Sequence, residues 1–516
     1  MEQGVKSTER NISAGMRILL VAISLVAHLL LIHLLSDILE QHFTFAFAAM
    51  EVAALICAIR IYNRRGSPSY KMLWILLILV APVAGLILYT LLGKMPERRR
   101  KEKTKQLPLP EVWESQRIRS ENNFVALKRD YPNWSRLAAY LQKKDFLLYG
   151  NTDAVYLPSG EAFFEDLIAR MEQAEKFIFL EYFIVAEGQV WDRISHVLRE
   201  RAAAGVEVKL VFDDFGNITR FKGETLAALR TAGVEVRVFN PVHRYVNRLY
   251  FNFRDHRKIA IIDGEWAYTG GINIADEYAN VIQRFGYWKD TAVRMHGEGV
   301  WGATRRFIRM WVRCGGHLPR ELDEYHPTHT VKGEGFCQFV TDGPENNPDN
   351  PIEDMYLQMI SSAKKSFYVT TPYLAVEDYM VGALCCAADG GVDVRLMVPG
   401  IPDKKYVYYV TGSYFEQLLE HGVRIYLYTP GFLHCKSVMV DGELALVGSV
   451  NMDYRSFQLH YEDAALFYGA PVVEELREDM ERIMEESEEI SAEKWRKRGI
   501  FQRMTEQILR LFASWM

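Results

Sequence analysis

Cysteine is scarce in this sequence, and what there is of it is arranged for nothing in particular. The six residues, Cys57, Cys314, Cys337, Cys385, Cys386 and Cys435, show no Cys-x-x-Cys motif and no Cys/His metal-ligand spacing. The adjacent pair at 385–386 would make an awkward disulfide, so the pattern is that of free thiols in a reducing compartment. A general basic excess is also missing. Lys and Arg number 61 against 66 Asp and Glu, a formal net charge of -5, which excludes a protein that coats nucleic acid. Nor is there a carboxylate cluster of the kind that holds Mg²⁺.

What is present is length and apolar content. At 516 residues with 49% hydrophobic and 25% charged, the chain suits two domains plus additional segments. Charge is uneven along it. The runs KMPERRRKEKTK at 94–105 and KWRKR at 494–498 are basic and lie beside apolar stretches, where Lys and Arg favour an anionic membrane surface.

Three apolar stretches open the chain, at 16–35, 43–62 and 72–92. Each approaches the roughly 20 residues that cross a bilayer as a helix. Lys6 and Arg10 precede the first and Arg17 stands at its start, as in a signal peptide, but no small-residue cleavage site follows and an uncleaved anchor is expected. The loop at 36–42 is acidic and the loop at 63–71 basic, which places the N-terminus and 63–71 inside. Three full spans would put the basic 94–105 run outside. Pro82 and Gly85 divide the third stretch, so the expectation is a re-entrant or interfacial hairpin over 72–92. The body then lies in the cytoplasm of a multi-pass plasma-membrane protein.

After a charged, Pro-containing linker at 94–135 the chain repeats itself. AEKFIFLEYFIV at 174–185 is echoed by AKKSFYVTTPYLAV at 363–376, GVEVKLVFDD at 205–214 by GVDVRLMVPG at 391–400, and AGVEVRVFNP at 232–241 by HGVRIYLYTP at 421–430. These short runs, rich in Val, Ile, Phe and Tyr, read as buried strands. Helical patterns such as 191–205 and 413–422 lie between them. The expected fold is α/β: two pseudo-symmetric domains, 136–335 and 336–490, with helices flanking mixed or parallel sheets.

Each half closes on the same polar constellation. The first reads FRDHRKIAIIDGEWAYTGGINIADEY, with His256, Lys258, Asp263 and Asn273. The second reads GFLHCKSVMVDGELALVGSVNMDYRSF, with His434, Lys436, Asp441 and Asn451, at identical internal spacing. Residues two apart on a strand share a face, so His and Lys of each copy can meet one substrate group. A single copy could be a core histidine beside a surface lysine; two copies at one spacing argue for chemistry. The groups suit phosphoryl transfer by covalent catalysis. One imidazole attacks phosphorus and the other protonates the leaving alcohol. The lysines and asparagines neutralise and hydrogen-bond the phosphate oxygens, so no metal or other cofactor is required. The aspartates are expected to orient and polarise the imidazoles.

The paired motif resembles that of the phospholipase D superfamily. The fuller runs HRKIAIIDGEWAYTGGINIADEY and HCKSVMVDGELALVGSVNMDYRSF, with WILLILVAPVAGLILYTLLG and LEYFIV, resemble bacterial cardiolipin synthases in particular. The resemblance implies transfer of a phosphatidyl group from one phosphatidylglycerol to another with release of glycerol, through a phosphohistidine. It also implies His256 as nucleophile and His434 as acid and then base. Two features depart from it: relatives commonly carry two N-terminal apolar stretches, and GGIN at 270–273 stands where the second copy has GSVN, so a hydroxyl at Ser449 has no counterpart at Gly271. Other readings remain: a phospholipase D-type hydrolase, transfer to a different alcohol, a nuclease, or a membrane scaffold with a dead site. The expected partners are phosphatidylglycerol and anionic membrane lipids, with no nucleic acid and with a homo-oligomer left open.

At the end of the chain, within the tail 491–516, Ile500, Met504, Ile508, Leu511 and Trp515 fall at helical steps among Arg496, Lys497, Arg498, Arg503 and Arg510. A basic amphipathic helix of this kind suits the headgroup boundary of an anionic bilayer. The alternative is a terminal helix packed on the domain.

Overall fold

The computed structural model describes positions 23, 26 and 30 and residues 42–93, 111–241, 252–318, 321–347 and 349–515. Most of the first apolar stretch and the basic run at 94–105 therefore lie outside the described residues. The chain divides into two units, 1–95 with 514–516, and 96–513.

In the first unit the helix His42–Tyr62 contains the segment Phe45–Tyr62, long and apolar enough to cross a membrane. The next helix, Pro68–Val80, starts on Ser67, whose hydroxyl accepts the Tyr70 amide at 3.1 Å, with Pro68 in its first turn. It stops at Ala81, and Pro82 opens a separate helix, Pro82–Leu88. A Cβ at Gly85 would come within 2.6 Å of the Ile78 Cα. In a straight helix residues seven apart are about 10 Å from each other, so the chain folds back here. The third stretch is thus two helical arms that break at Ala81–Pro82, with Gly85 inside the second arm where its lack of a side chain allows the close approach.

The second unit opens with a correction. The segment expected as a linker is helical over Glu111–Asp130. Its composition hides this because few of its anchors are apolar: over 114–130 the buried positions are Gln116, Ser120 and Leu127. Ser120 Oγ accepts the Leu148 amide and the Gln142 side-chain amide, each at 2.8 Å.

Two sheets follow, matching strand for strand. In the first, Phe177–Tyr182, Glu207–Asp213 and Glu235–Phe239 run parallel. On the other side of Phe177–Tyr182 the antiparallel strands Lys258–Ile262, Trp266–Gly270, Ala292–Gly297 and Thr152–Leu157 follow in order. The second sheet repeats this with Ser366–Thr370, Asp393–Pro399 and Arg424–Tyr428 parallel, then Ser437–Val440, Leu444–Gly448, His460–Tyr468 and Phe336–Asp342 antiparallel. Ser487–Ile490 adds an antiparallel edge. Phe177–Tyr182 is buried at every position, as a strand covered on both faces requires. The fold is α/β with two pseudo-symmetric halves, and the halves share a core in which Phe179 stacks on Phe307 at 4.6 Å beside Phe339, Met439 and Phe467.

The halves also exchange strands. Arg254–Asp255, just before His256, pairs with His460–Tyr461 of the second half. Gly431–Leu433, just before His434, pairs with Tyr287–Lys289 of the first. Each motif histidine is therefore delivered to the opposite half.

At the end of this unit the helix Ile500–Arg510 turns Ile500, Phe501, Met504 and Ile508 outward, and Leu511 follows them; all are more than half exposed. Its inward side is polar, with Glu506 buried and bonded to Arg498 at 2.9 Å. The basic flanks are largely paired, Arg496 with Glu420, Lys497 with Glu493 and Arg510 with Asp378.

Candidate active site

The strand exchange fixes both histidines through their backbones before their side chains are considered. The His256 amide donates to the Tyr461 carbonyl at 2.9 Å and the His434 amide to the Lys289 carbonyl at 2.7 Å. The residue after each of those carbonyls is acidic and meets the ring. His256 Nδ1 lies 3.0 and 3.1 Å from the two oxygens of Glu462, and His434 Nδ1 lies 2.6 Å from Asp290 Oδ2. Both pairs are buried. A carboxylate at Nδ1 fixes the tautomer with its hydrogen there, leaving the Nε2 lone pair free for phosphorus or a proton.

Glu462 and Asp290 occupy equivalent places, and neither belongs to the motif. The motif aspartates are elsewhere. Asp263 accepts the backbone amides of Glu175, Lys176 and Phe177 at 2.7–2.9 Å, and Asp441 those of Lys364, Lys365 and Ser366 at 2.7–2.9 Å. Each sits in a hairpin turn at φ 56°, followed by a glycine also at positive φ, a conformation Asp and Gly tolerate. The expectation that they orient the imidazoles is corrected: they tie a turn to the start of the neighbouring strand.

Lys258 and Lys436 do flank the histidines. Both are buried, and each ammonium donates to the carbonyl of its own motif histidine. Lys436 Nζ also lies 2.7 Å from His434 Nδ1. Burial lowers Lys258, and it lowers Lys436 to about 7. Burial, followed by the charges of both lysines, holds both imidazoles well below their usual range, so the rings are neutral near pH 7. Burial also raises Asp290 to about 6, within reach of sharing a proton with His434.

The asparagines support the walls. Asn273 Oδ1 accepts the Ile184 amide at 3.0 Å, and its Nδ2 donates to the Tyr278 hydroxyl at 2.7 Å; the Tyr278 ring edges His434 at 5.4 Å. Asn451 Nδ2 donates to Asp453 at 3.2 Å. Trp288 and Phe432 complete the surround of His434, at 5.2 and 5.7 Å, and Phe183 and His460 that of His256, at 5.1 and 5.4 Å.

The Gly271/Ser449 difference has a packing cause. Ser449 Oγ donates to Glu462, and Ser456 Oγ donates to it at 2.8 Å. A Cβ at Gly271 would lie 2.0 Å from Asp290 Oδ1. The longer Glu is steadied by hydroxyls, whereas the shorter Asp needs the space itself. His256, His460 and Glu462 bring donor atoms within 4.8 Å of one another and could hold a cation, but only by withdrawing His256 from chemistry.

A family profile described as "Cardiolipin synthase, PLD-like domain" matches 167–282 and 356–484, and one described as "Phospholipase_D-nuclease N-terminal" matches 52–94. Cardiolipin synthase 2 of Bacillus anthracis is 35% identical over 89% of this chain and 88% of its own length. The chain belongs to the cardiolipin synthase family. A cardiolipin synthase of Oceanobacillus iheyensis is 33% identical over 88% of this chain and 95% of its own. The phosphatidylserine synthase structure from Haemophilus influenzae superposes with a TM-score of 0.55 at 15% identity, covering 73% of this chain and 97% of that one, which shows a shared fold. The two segments matched by the first profile contain His256 and His434 in turn, and the segment matched by the second overlaps the apolar helix Phe45–Tyr62.

Proposed function

We propose that the protein makes cardiolipin by moving a phosphatidyl group from one phosphatidylglycerol to a second, releasing glycerol. The observation that carries this reading is the pair of buried imidazoles, each backed at Nδ1 by a buried carboxylate from the other half. His256 Nε2 attacks the phosphorus of the donor, and the bond to the glycerol oxygen breaks as His434 supplies that oxygen with a proton. The phosphodiester itself brings the negative charge that lets an imidazole beside two lysines carry a proton. In the second half-reaction His434 takes the proton of the acceptor hydroxyl, whose oxygen displaces His256. The same scheme with water would give phosphatidate; the aromatic and apolar surround of both rings favours transfer by keeping bulk water out.

Membrane placement follows the same reading. The Phe45–Tyr62 helix anchors the chain, the folded-back Pro68–Leu88 hairpin stays on one side of the bilayer, and the catalytic halves face the cytoplasm. The outward apolar row of Ile500–Arg510 supports shallow insertion at an anionic surface, driven by apolar area more than by its largely paired charges. Incubation with phosphatidylglycerol vesicles, following cardiolipin and glycerol together, tests the reaction. Equal amounts of both, lost in His434→Ala, are expected. Phosphatidate and glycerol without cardiolipin would mean a hydrolase.

A further inference from the structure

Three lysines act on both imidazoles: Lys258, Lys436 and Lys404. The third belongs to neither motif copy. It stands between the strand Asp393–Pro399 and the helix Lys405–Gly412. Its side chain is 48% exposed, whereas the motif lysines are buried. The Lys404 ammonium lies 3.3 Å from the Tyr373 hydroxyl, 4.8 Å from the centre of that ring and 3.6 Å from Asp403. Tyr373 donates to Asp403 at 2.6 Å, so one hydroxyl holds both the ammonium and the carboxylate that pairs loosely with it, and the half-exposed ammonium keeps hydrogens for a further anion. Lys404 and Tyr373 line a narrow crevice with Phe432. The Phe432 ring lies 6.4 Å from that of Tyr373 and 5.7 Å from that of His434. One aromatic ring separates the crevice from the reacting histidine.

The proposed reaction has a use for a cation there. The acceptor phosphatidylglycerol carries a phosphodiester of its own, joined to the attacking hydroxyl by a three-carbon bridge. When that oxygen attacks the phosphorus held on His256, the phosphorus–nitrogen bond breaks and the hydroxyl proton passes to His434. At that moment the acceptor phosphate is still about 6 Å from the reacting one by ordinary bond lengths. Two like charges so close in a poorly solvated site repel unless a cation meets the second. We propose that Lys404, braced by Tyr373, is a second phosphate subsite that takes the phosphodiester of the acceptor lipid. Water and uncharged diols carry no second phosphate, so this subsite would select an anionic lipid acceptor over them. The inference rests on the transferase reading above.

The test compares two reactions of the full-length protein in phosphatidylglycerol vesicles: cardiolipin formation, and incorporation of labelled glycerol into phosphatidylglycerol. Both pass through the same covalent intermediate, but only the first has a phosphate on its acceptor. In Lys404→Ala the ratio of cardiolipin formed to glycerol exchanged should fall about tenfold or more, the size of a lost charge-assisted hydrogen bond, and Lys404→Arg should restore much of it. An unchanged ratio, whether both rates fall together or neither falls, would overturn the subsite. Glycerol exchange without cardiolipin in the wild-type protein would overturn the transferase reading and this inference with it.

Discussion

His256 and Glu462, separated by 206 positions in the chain, meet with the imidazole Nδ1 3.0 Å from the carboxylate. His434 and Asp290 repeat the relationship in reverse, each half lending its carboxylate to the histidine of the other. Neither half contains a complete catalytic pair. Glu462→Gln and Asp290→Asn should each lower cardiolipin synthesis by about 10² or more, since a carboxylate that fixes an imidazole tautomer is worth at least that in comparable sites. Thermal unfolding of both variants should stay near the wild type. Steady-state rates and melting curves measured on the same preparations check this.

The motif aspartates predict the opposite pattern. Asp263 and Asp441 each hold backbone amides at the start of a strand from a turn at positive φ. Asn tolerates that backbone but accepts those bonds less strongly, so Asp263→Asn or Asp441→Asn should cost about 1–3 kcal/mol of stability. Turnover per folded molecule should be largely kept. Denaturant titration alongside an active-fraction assay separates the two effects.

That contrast marks where the sequence is legible and where it is not. The repeated strand and His-x-Lys patterns disclose two α/β halves, and the structure brings His256, Lys258, His434 and Lys436 together. Glu462 and Asp290 escape notice because their spacing from the motif differs. Glu462 comes eleven residues after Asn451, but Asp290 comes seventeen after Asn273, across a longer connection that carries the strand Tyr287–Lys289. The usable signal is a buried acid two residues ahead of a short apolar run, as in DTAV at 290–293 and EDAAL at 462–466. The role of Asp263 is invisible for another reason: an Asp-Gly turn looks the same whether its carboxylate faces a ring or a row of amides. The helix Glu111–Asp130 is hidden by its charge, since its buried side includes Gln116 and Ser120.

Lysine charge sets the alkaline limit. Burial brings Lys436 to about 7, and its charged form is the one that attracts phosphate. Its charge is present below that pH and is lost as pH rises through it, so KM for phosphatidylglycerol should climb between about pH 6 and 9. In the lipid-free protein the imidazoles, held well below their usual range, are neutral across that span and add no opposing limb to KM. Lys436→Arg should flatten the climb because a guanidinium keeps its charge, while lowering kcat through altered geometry. KM and kcat measured across pH for both proteins decide this.

The terminal helix makes a separable prediction. Phe501 is 83% exposed and Ile508 54%, on the outward side of Ile500–Arg510. Phe501→Asp with Ile508→Asp should leave folding intact but raise KM for lipid presented in vesicles several-fold, with little change for lipid dispersed in detergent micelles. Equal KM values for the variant and the wild type in vesicles would remove this helix from the membrane contact.

The central claim is a phosphatidyl group carried on a histidine that is held by the opposite half of the chain. Rapid mixing with phosphatidylglycerol, quenching in base and mass analysis of the peptides tests it most directly. The account predicts a base-stable, acid-labile phosphatidyl adduct on the peptide containing His256, formed and consumed as cardiolipin accumulates. Cardiolipin accumulating with no adduct on either His256 or His434 would contradict it.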